Sequence, residues 1–225
     1  GDPDPVISDP SFGTPPNPAN LLGVVLAGGE SRRFGGDKAL TPLGGKPMAR
    51  WPVEALVPWT KEQVVIANDP AVARSLGIPG RPDLAPGQGP AGGLLTGLSW
   101  AAEKGLEGVF LLACDLPLVT EGLVGRILRA WPPGFGAVVP GSSGPRGLEP
   151  LCGAYSVQGT TILGDLLASG SRFMVDALAA LGAHRIPPGE LGTPEELDRA
   201  FINVNTPETA RVVEDVLSGR GEEGE

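Results

Sequence analysis

Apolar residues fall along the 225-residue chain in short continuous runs, separated by stretches where they recur every three or four positions. The runs GVVLAGG (23–29), QVVIAND (63–69), GVFLLACD (108–115), GAVVPG (136–141) and AFINVN (200–205) each read as a strand. Continuous rather than alternating apolarity marks strands covered on both faces, as in a parallel sheet between helices. Helical spacing fills the intervals at MARWPVEALV (48–57), LLTGLSWAAEKG (94–105), EGLVGRILRAW (121–131) and FMVDALAALG (173–182). The pattern predicts an α/β fold: a Rossmann-like three-layer sandwich with a mostly parallel sheet and helices on both faces. Thr193-Pro194 with Glu196, and Thr206-Pro207 with Glu208, read as helix starts. Asn203 and Asn205 are therefore expected at a strand end, just before a helix.

The ends differ from the body. Residues 1–20 are rich in Pro, Asp and Asn, lack the basic start and apolar centre of a secretory signal, and read as a disordered leader. Residues 219–225 read as a disordered acidic tail, leaving 21–218 as a single domain. No apolar run approaches the roughly 18 to 20 residues a spanning helix needs, so no membrane is expected. The net charge of −9 argues against nucleic acid as a partner. Much of it lies in the two ends, so the body is only mildly acidic. Cys114 and Cys152 are too few for a disulfide framework, and the single histidine is His184. A cytoplasmic location is the default expectation.

Against this acidic background one glycine-rich stretch carries positive charge. LLGVVLAGGESRRFGGDKAL (21–40) leaves an apolar strand and passes two arginines and a lysine among glycines. In open α/β sheets ligands bind beyond the carboxyl ends of the strands, where glycines let backbone N–H groups approach phosphate oxygens. A phosphate site competes with a plain turn bearing a solvated basic face, and Arg33 and Lys38 beside the glycines favour the former. The stretch is no P-loop, because Lys38 follows Asp37 and precedes Ala39. Gly87, Gly89 and Gly92 have dinucleotide-motif spacing, but Pro90 interrupts them and no strand precedes them.

Leu26, Ala27, Gly28, Gly29, Ser31, Arg33, Gly35, Asp37 and Lys38 resemble the L-A-G-G-x-S-x-R-x-G-x-D-K signature of the molybdenum cofactor guanylyltransferases, in the nucleotidyltransferase superfamily. The resemblance continues through AND (67–69), RPD (81–83), GPAGGLLTGL (89–98), LLACDLPLV (111–119), EPLCGAY (149–155) and INVNTPET (202–209). It covers almost everything from residue 21 to about 217. Phe34 departs from the usual methionine, and the loop at 141–153 does not align securely.

The resemblance implies a nucleotide-diphospho-sugar transferase-like fold and one reaction. The terminal phosphate of molybdopterin attacks the α-phosphate of GTP, giving a guanine dinucleotide cofactor and pyrophosphate. It implies Arg33, Lys38 and Asp115 as the catalytic set and Leu26, Ala27, Gly28, Gly29, Lys38, Asn68, Asp83 and Asp115 as the GTP site. Asp115, ending an apolar strand, would ligate Mg²⁺, a hard ion suited to carboxylate and phosphate oxygen. Asn203 and Asn205 would lie toward molybdopterin. GTP, molybdopterin or the molybdenum cofactor, and cofactor-insertion proteins are the implied partners. Plainer roles stay open: a helix cap for Asp115, turn formation for Asn68 and Asp83, capping for the two late asparagines. A cytidylyl or sugar-phosphate nucleotidyltransferase of the same fold, or a non-catalytic nucleotide-binding module, are the alternatives. Cys114 reads as a small buried hydrophobe and His184 as a surface or strand residue.

Overall fold

The computed structural model describes residues 7–28, 30–31, 36–144 and 147–222. In chain order the elements begin with β1 (Leu21–Leu26), β2 (Glu30–Ser31), β3 (Gly36–Asp37), β4 (Pro42–Leu43) and β5 (Lys46–Pro47). Next come α1 (Arg50–Leu56), β6 (Glu62–Ile66), α2 (Pro70–Leu76), β7 (Gly80–Arg81), α3 (Gly89–Glu103) and β8 (Gly108–Ala113). The chain continues through α4 (Glu121–Arg129), β9 (Ala137–Pro140), β10 (Cys152–Ser156), α5 (Thr160–Ala168), α6 (Met174–Ala180) and β11 (Ala183–Ile186). It closes with α7 (Pro194–Ala200) and α8 (Pro207–Glu222).

Among the described residues one seven-stranded sheet has the order β11-β9-β10-β8-β1-β6-β7. All neighbours are parallel except β10, which runs antiparallel to both β8 and β9. Every residue of β8 is buried, as a continuous apolar run requires when both faces are covered. One face carries Val25, Val65, Leu112 and Ala154 beneath residues of α1, α2, α4 and α7. The other carries Val24, Val64, Leu111 and Tyr155 beneath α3, α5 and α6. Helix α3 approaches β1 so closely that a Cβ on Gly93 would stand 2.3 Å from Leu26 Cδ1. A larger residue there would force the Leu26 side chain to move.

Registration decides where the site can form. Leu26 pairs with both Ile66 and Ala113, so β1, β6 and β8 end level with one another. The chain leaves β1 toward β6 on one side and later reaches β8 on the other, which makes their shared carboxyl edge the switch point of the sheet. A third apolar cluster joins Leu43 and Met48 to Leu118, Val204, Val213 and Leu217, docking α8 beside that edge.

Four sequence expectations need correction. AFINVN is not a strand: Ala200 ends α7, and Val204 makes one backbone bond to the Asp115 carbonyl (2.9 Å) where a ladder was expected. Its apolar side chains serve the α8 cluster instead. Residues 7–20 are not a loose leader. Two 3₁₀ turns, Pro10–Phe12 and Pro18–Asn20, are capped by Asp9 and Asn17, and Phe12 is buried. Backbone bonds from Asp9 to Gly134 (2.7 Å) and from Gly134 to Gly13 (2.9 Å) fasten the segment to the body. The acidic tail is helical as far as Glu222, because α8 continues past its buried Leu217. Finally, the irregular 141–153 stretch ends in strand, since Cys152 and Gly153 open β10.

Candidate active site

At the carboxyl edge of β1, β6 and β8 lies a cavity of about 600 Å³. Leu26, Ala27 and Gly28 form its floor where β1 ends, and Asn68 and Asp83 line it from the segments after β6 and β7. Lys38 and Asp115 complete the set. Seven of the residues singled out from the sequence thus share one cavity. Gly29 and Arg33 lie outside the described residues. Asn203 is exposed and outside the cavity wall, and Asn205 also lies beyond it.

Asp115 follows β8 by two residues and caps no described helix; Thr120 caps α4. Its carboxylate receives Lys38 Nζ at 3.4 Å, with side-chain exposures of 25% for Asp115 and 13% for Lys38. Lys38 Nζ also donates to Asn205 Oδ1 at 2.9 Å. The lysine is thus gripped by two residues 77 and 167 positions away in the chain. The lysine and both partners are themselves held. Asp37 accepts from the Ala39 N–H (3.0 Å) and starts the 3₁₀ turn that carries Lys38. Val204 N–H donates to the Asp115 carbonyl, and Asn205 N–H donates to the Thr209 hydroxyl (3.2 Å) at the head of α8.

Asn68 and Asp83 face the opposite end of the cavity. Asn68 is exposed, and its Oδ1 accepts a long bond from the Asp83 N–H at 3.4 Å. Asp83 Oδ1 accepts from the Ala85 N–H (2.8 Å) and the Thr96 hydroxyl (3.3 Å), so the turn role and the cavity position coexist. A Cβ on Gly28 would meet no atom of the described residues within 4 Å. The space above that loop is open for a ligand.

Sequence reasoning missed part of the wall. Gly87 and Gly89, set aside as a poor dinucleotide motif, line the cavity at φ of +82° and +63°. They turn the chain into α3, a conformation that favours glycine. The signal was present as glycine spacing, though not for the motif tested. Leu151 lines the cavity as the chain enters antiparallel β10, and nothing local in the sequence marks it. Cys114 lines it too, yet burial, with the Asp115 charge adding to it, pushes the thiol up to about 12. A thiol so protonated is no nucleophile. Cys152 is also buried, and burial raises its thiol further. Among the described residues no group of three or more His, Cys, Asp and Glu side chains could hold a metal by itself.

Two hard oxygens on one carboxylate, a cation beside them and an open glycine floor suit a nucleoside triphosphate with its divalent ion. Known relatives support the nucleotide part of that fit. A family model described as MobA-like NTP transferase domain matches residues 23–184. The molybdenum cofactor guanylyltransferase of Cereibacter sphaeroides is 39% identical over 199 residues, which span 88% of this chain and 97% of the relative. That of Yersinia pestis (strain Pestoides F) is 31% identical over 191 residues, spanning 84% and 92%. The crystal structure of molybdopterin-guanine dinucleotide biosynthesis protein A from Archaeoglobus fulgidus superposes with a TM-score of 0.69 at 25% identity. That match covers 88% of this chain and 100% of the other. The chain belongs to the MobA-like NTP transferase family, among its molybdenum cofactor guanylyltransferases.

Proposed function

We propose that this chain transfers GMP from GTP to molybdopterin, and that Lys38 and Asp115 carry the step. The observation behind the proposal is the convergence of Lys38, Asp115 and Asn205 at the mouth of a cavity floored by Leu26, Ala27 and Gly28. An oxygen of the acceptor phosphate attacks the α-phosphorus of GTP and forms a new phosphoanhydride bond. The bond from the α-phosphorus to the bridging oxygen breaks, and pyrophosphate leaves with that electron pair.

Such a displacement asks for positioning and charge neutralisation rather than a covalent nucleophile. Lys38 supplies a cation, and its two partners hold it at the place where phosphate charge gathers. Asp115 fits Mg²⁺, because that ion takes one or two carboxylates and completes its shell with phosphate oxygens and water. When bound, the ion neutralises phosphate charge in the transition state. The open face of Gly28 admits a purine close to backbone, with Asn68 and Asp83 at the base and ribose. Arg33 joins the phosphate-binding set. Asn203 and Asn205 lie toward the acceptor phosphate, where Asn205 also steadies Lys38. Among the described residues no helix is long and apolar enough to cross a membrane. The working partners in this reading are GTP and molybdopterin, in the cytoplasm.

The experiment is pyrophosphate release with GTP, molybdopterin and Mg²⁺, omitting each in turn. Release only when all three are present is expected. Release without acceptor, or release as fast with CTP as with GTP, contradicts the proposal.

A further inference from the structure

Helices α7 and α8 are both entered through Thr-Pro-Glu, yet the next residue differs: Glu196 in the first, Thr209 in the second. Glutamate is the usual choice three residues after a threonine cap, where its carboxylate reaches back to the N–H of the cap. Thr209 does this with a shorter side chain and holds one residue more. Its hydroxyl accepts from the Thr206 N–H at 3.1 Å and from the Asn205 N–H at 3.2 Å. The hydroxyl is fixed in turn: it donates to the Thr206 carbonyl at 2.9 Å, and the Thr209 N–H donates to the Thr206 hydroxyl at 3.2 Å.

Other anchors converge on the same short segment. Val204 is fully buried in the cluster with Val213 and Leu217, and its N–H donates to the Asp115 carbonyl at 2.9 Å. Further along α8, Glu214 accepts from the Gly44 N–H at 2.7 Å and ties the helix to the turn between β4 and β5, just after the Lys38 segment. The backbone of Asn205 is thus held from Asp115 on one side and from α8 on the other, while its Oδ1 receives Lys38 Nζ at 2.9 Å. The Asp115 carboxylate stands 3.4 Å from the same ammonium. A charge-assisted N–H···O bond is normally about 2.7 to 2.9 Å, so the amide rather than the carboxylate takes the short bond of the lysine.

We propose that Thr209 is a positioning residue for the transfer. By fixing Asn205 it holds the Lys38 ammonium off the Asp115 carboxylate, so that the lysine meets phosphate and the carboxylate stays open to a cation. The inference rests on the nucleotidyl-transfer reading of this cavity and adds to it a residue that touches neither substrate. Without the hydroxyl, Asn205 can shift, and the ammonium closes on the carboxylate, its stronger electrostatic partner.

The test compares full-length Thr209→Val, Thr209→Ser, Asn205→Ala and the double variant Thr209→Val with Asn205→Ala. Thr193→Val is the control for a lost helix cap, since Thr193 accepts from the Glu196 N–H at 3.2 Å on α7. Two quantities are read well below the thermal transition: kcat/KM for GTP in pyrophosphate release, and Kd for GTP with Mg²⁺, by calorimetry without acceptor. Thr209→Val should lose roughly three- to tenfold in both, the worth of one hydrogen bond, and Thr209→Ser should recover most of it. Where Asn205 is already alanine, Thr209→Val should cost almost nothing more, because the group it steers is gone. Thr193→Val should lower Tm and leave both quantities at their parent values. Parent values in Thr209→Val, a serine variant no better than the valine one, or a loss that repeats in full beside Asn205→Ala would each overturn the inference, as would an equal loss in Thr193→Val. Coupling seen in Kd, from a parent that releases no pyrophosphate with GTP and molybdopterin, would sink the reading of the reaction and leave the role of Thr209 standing.

Discussion

Two regions of the sheet are built differently. On the nucleotide side, β1, β6 and β8 end level, and the residues just past their ends line the cavity. On the far side, β9, β10 and β11 form an edge that depends on a distant segment. Phe12 packs so closely there that a Cβ on Gly136 would stand 2.5 Å from its ring. His184 of β11 meets Phe135 edge-on, with ring centroids 5.1 Å apart. The first side spends its contacts on holding a few polar groups in place, the second on apolar closure. The contrast teaches that chemistry and stability are separable in this molecule, so a substitution on either side should move one and spare the other.

The largest expected effect breaks chemistry alone. Asp115→Ala should lower turnover about a thousandfold or more, because the loss of a metal ligand and of a partner to Lys38 removes several kcal/mol of charge stabilisation. Its tie to Val204 uses the main-chain carbonyl, so Tm should hardly change. Normal Mg²⁺-dependent turnover in this variant would remove Asp115 from the mechanism.

Next in size is the reverse case. Phe12→Ala should cost about 3 kcal/mol of stability, a fall in Tm of roughly 6 to 12 °C for a chain of this length. Turnover measured well below the transition should match the parent. A chain starting at Leu21 should lose at least as much stability. An unchanged Tm in either would return residues 7–20 to the status of a passive leader.

Gly28→Ala sharpens the nucleotide side. The methyl meets no atom of the described residues within 4 Å, so the fold should tolerate it and the ligand should feel it. One methyl against a base is worth roughly 10- to 200-fold, and the kcat/KM preference for GTP over CTP should narrow by an amount in that range. A preference untouched by the substitution would shift base selection to Asn68 and Asp83.

The smallest effect belongs to His184. Burial holds its imidazole below the ordinary value of 6.5, while Glu190 pulls the other way. The folded chain therefore resists a proton that the unfolded chain accepts. The stability this residue contributes is complete above the ordinary histidine range and is lost as pH falls through it toward the lowered folded value. His184→Gln should flatten the decline in denaturation midpoint between about pH 7.5 and 5.5. Identical slopes for parent and variant would deny the buried imidazole that role.

The same division explains what was legible in the sequence. Strands β1, β6 and β8 and the loop after β1 are written in consecutive residues, so continuous apolarity and glycine spacing exposed both fold class and cavity floor. Lys38 and Asp115 could be named, but their meeting is a long-range event, and the clamp by Asn205 depends on where α8 docks. Strand β10 was missed because CGAYS is short and polar at its end, and antiparallel pairing on both sides buries it regardless. The leader misled through its prolines and aspartates. Composition argued for disorder, whereas one phenylalanine and two capped turns suffice to dock it on the far edge.

The central claim is nucleotidyl transfer in the cavity of Lys38 and Asp115. The direct measurement follows two labels, incubating the chain with molybdopterin, Mg²⁺ and GTP carrying ³²P at either the α- or the γ-phosphorus. The α-label should enter the pterin product and the γ-label should leave in pyrophosphate, with both transfers lost in Asp115→Ala. A γ-label found on the acceptor, or no transfer of the α-label, would contradict the account.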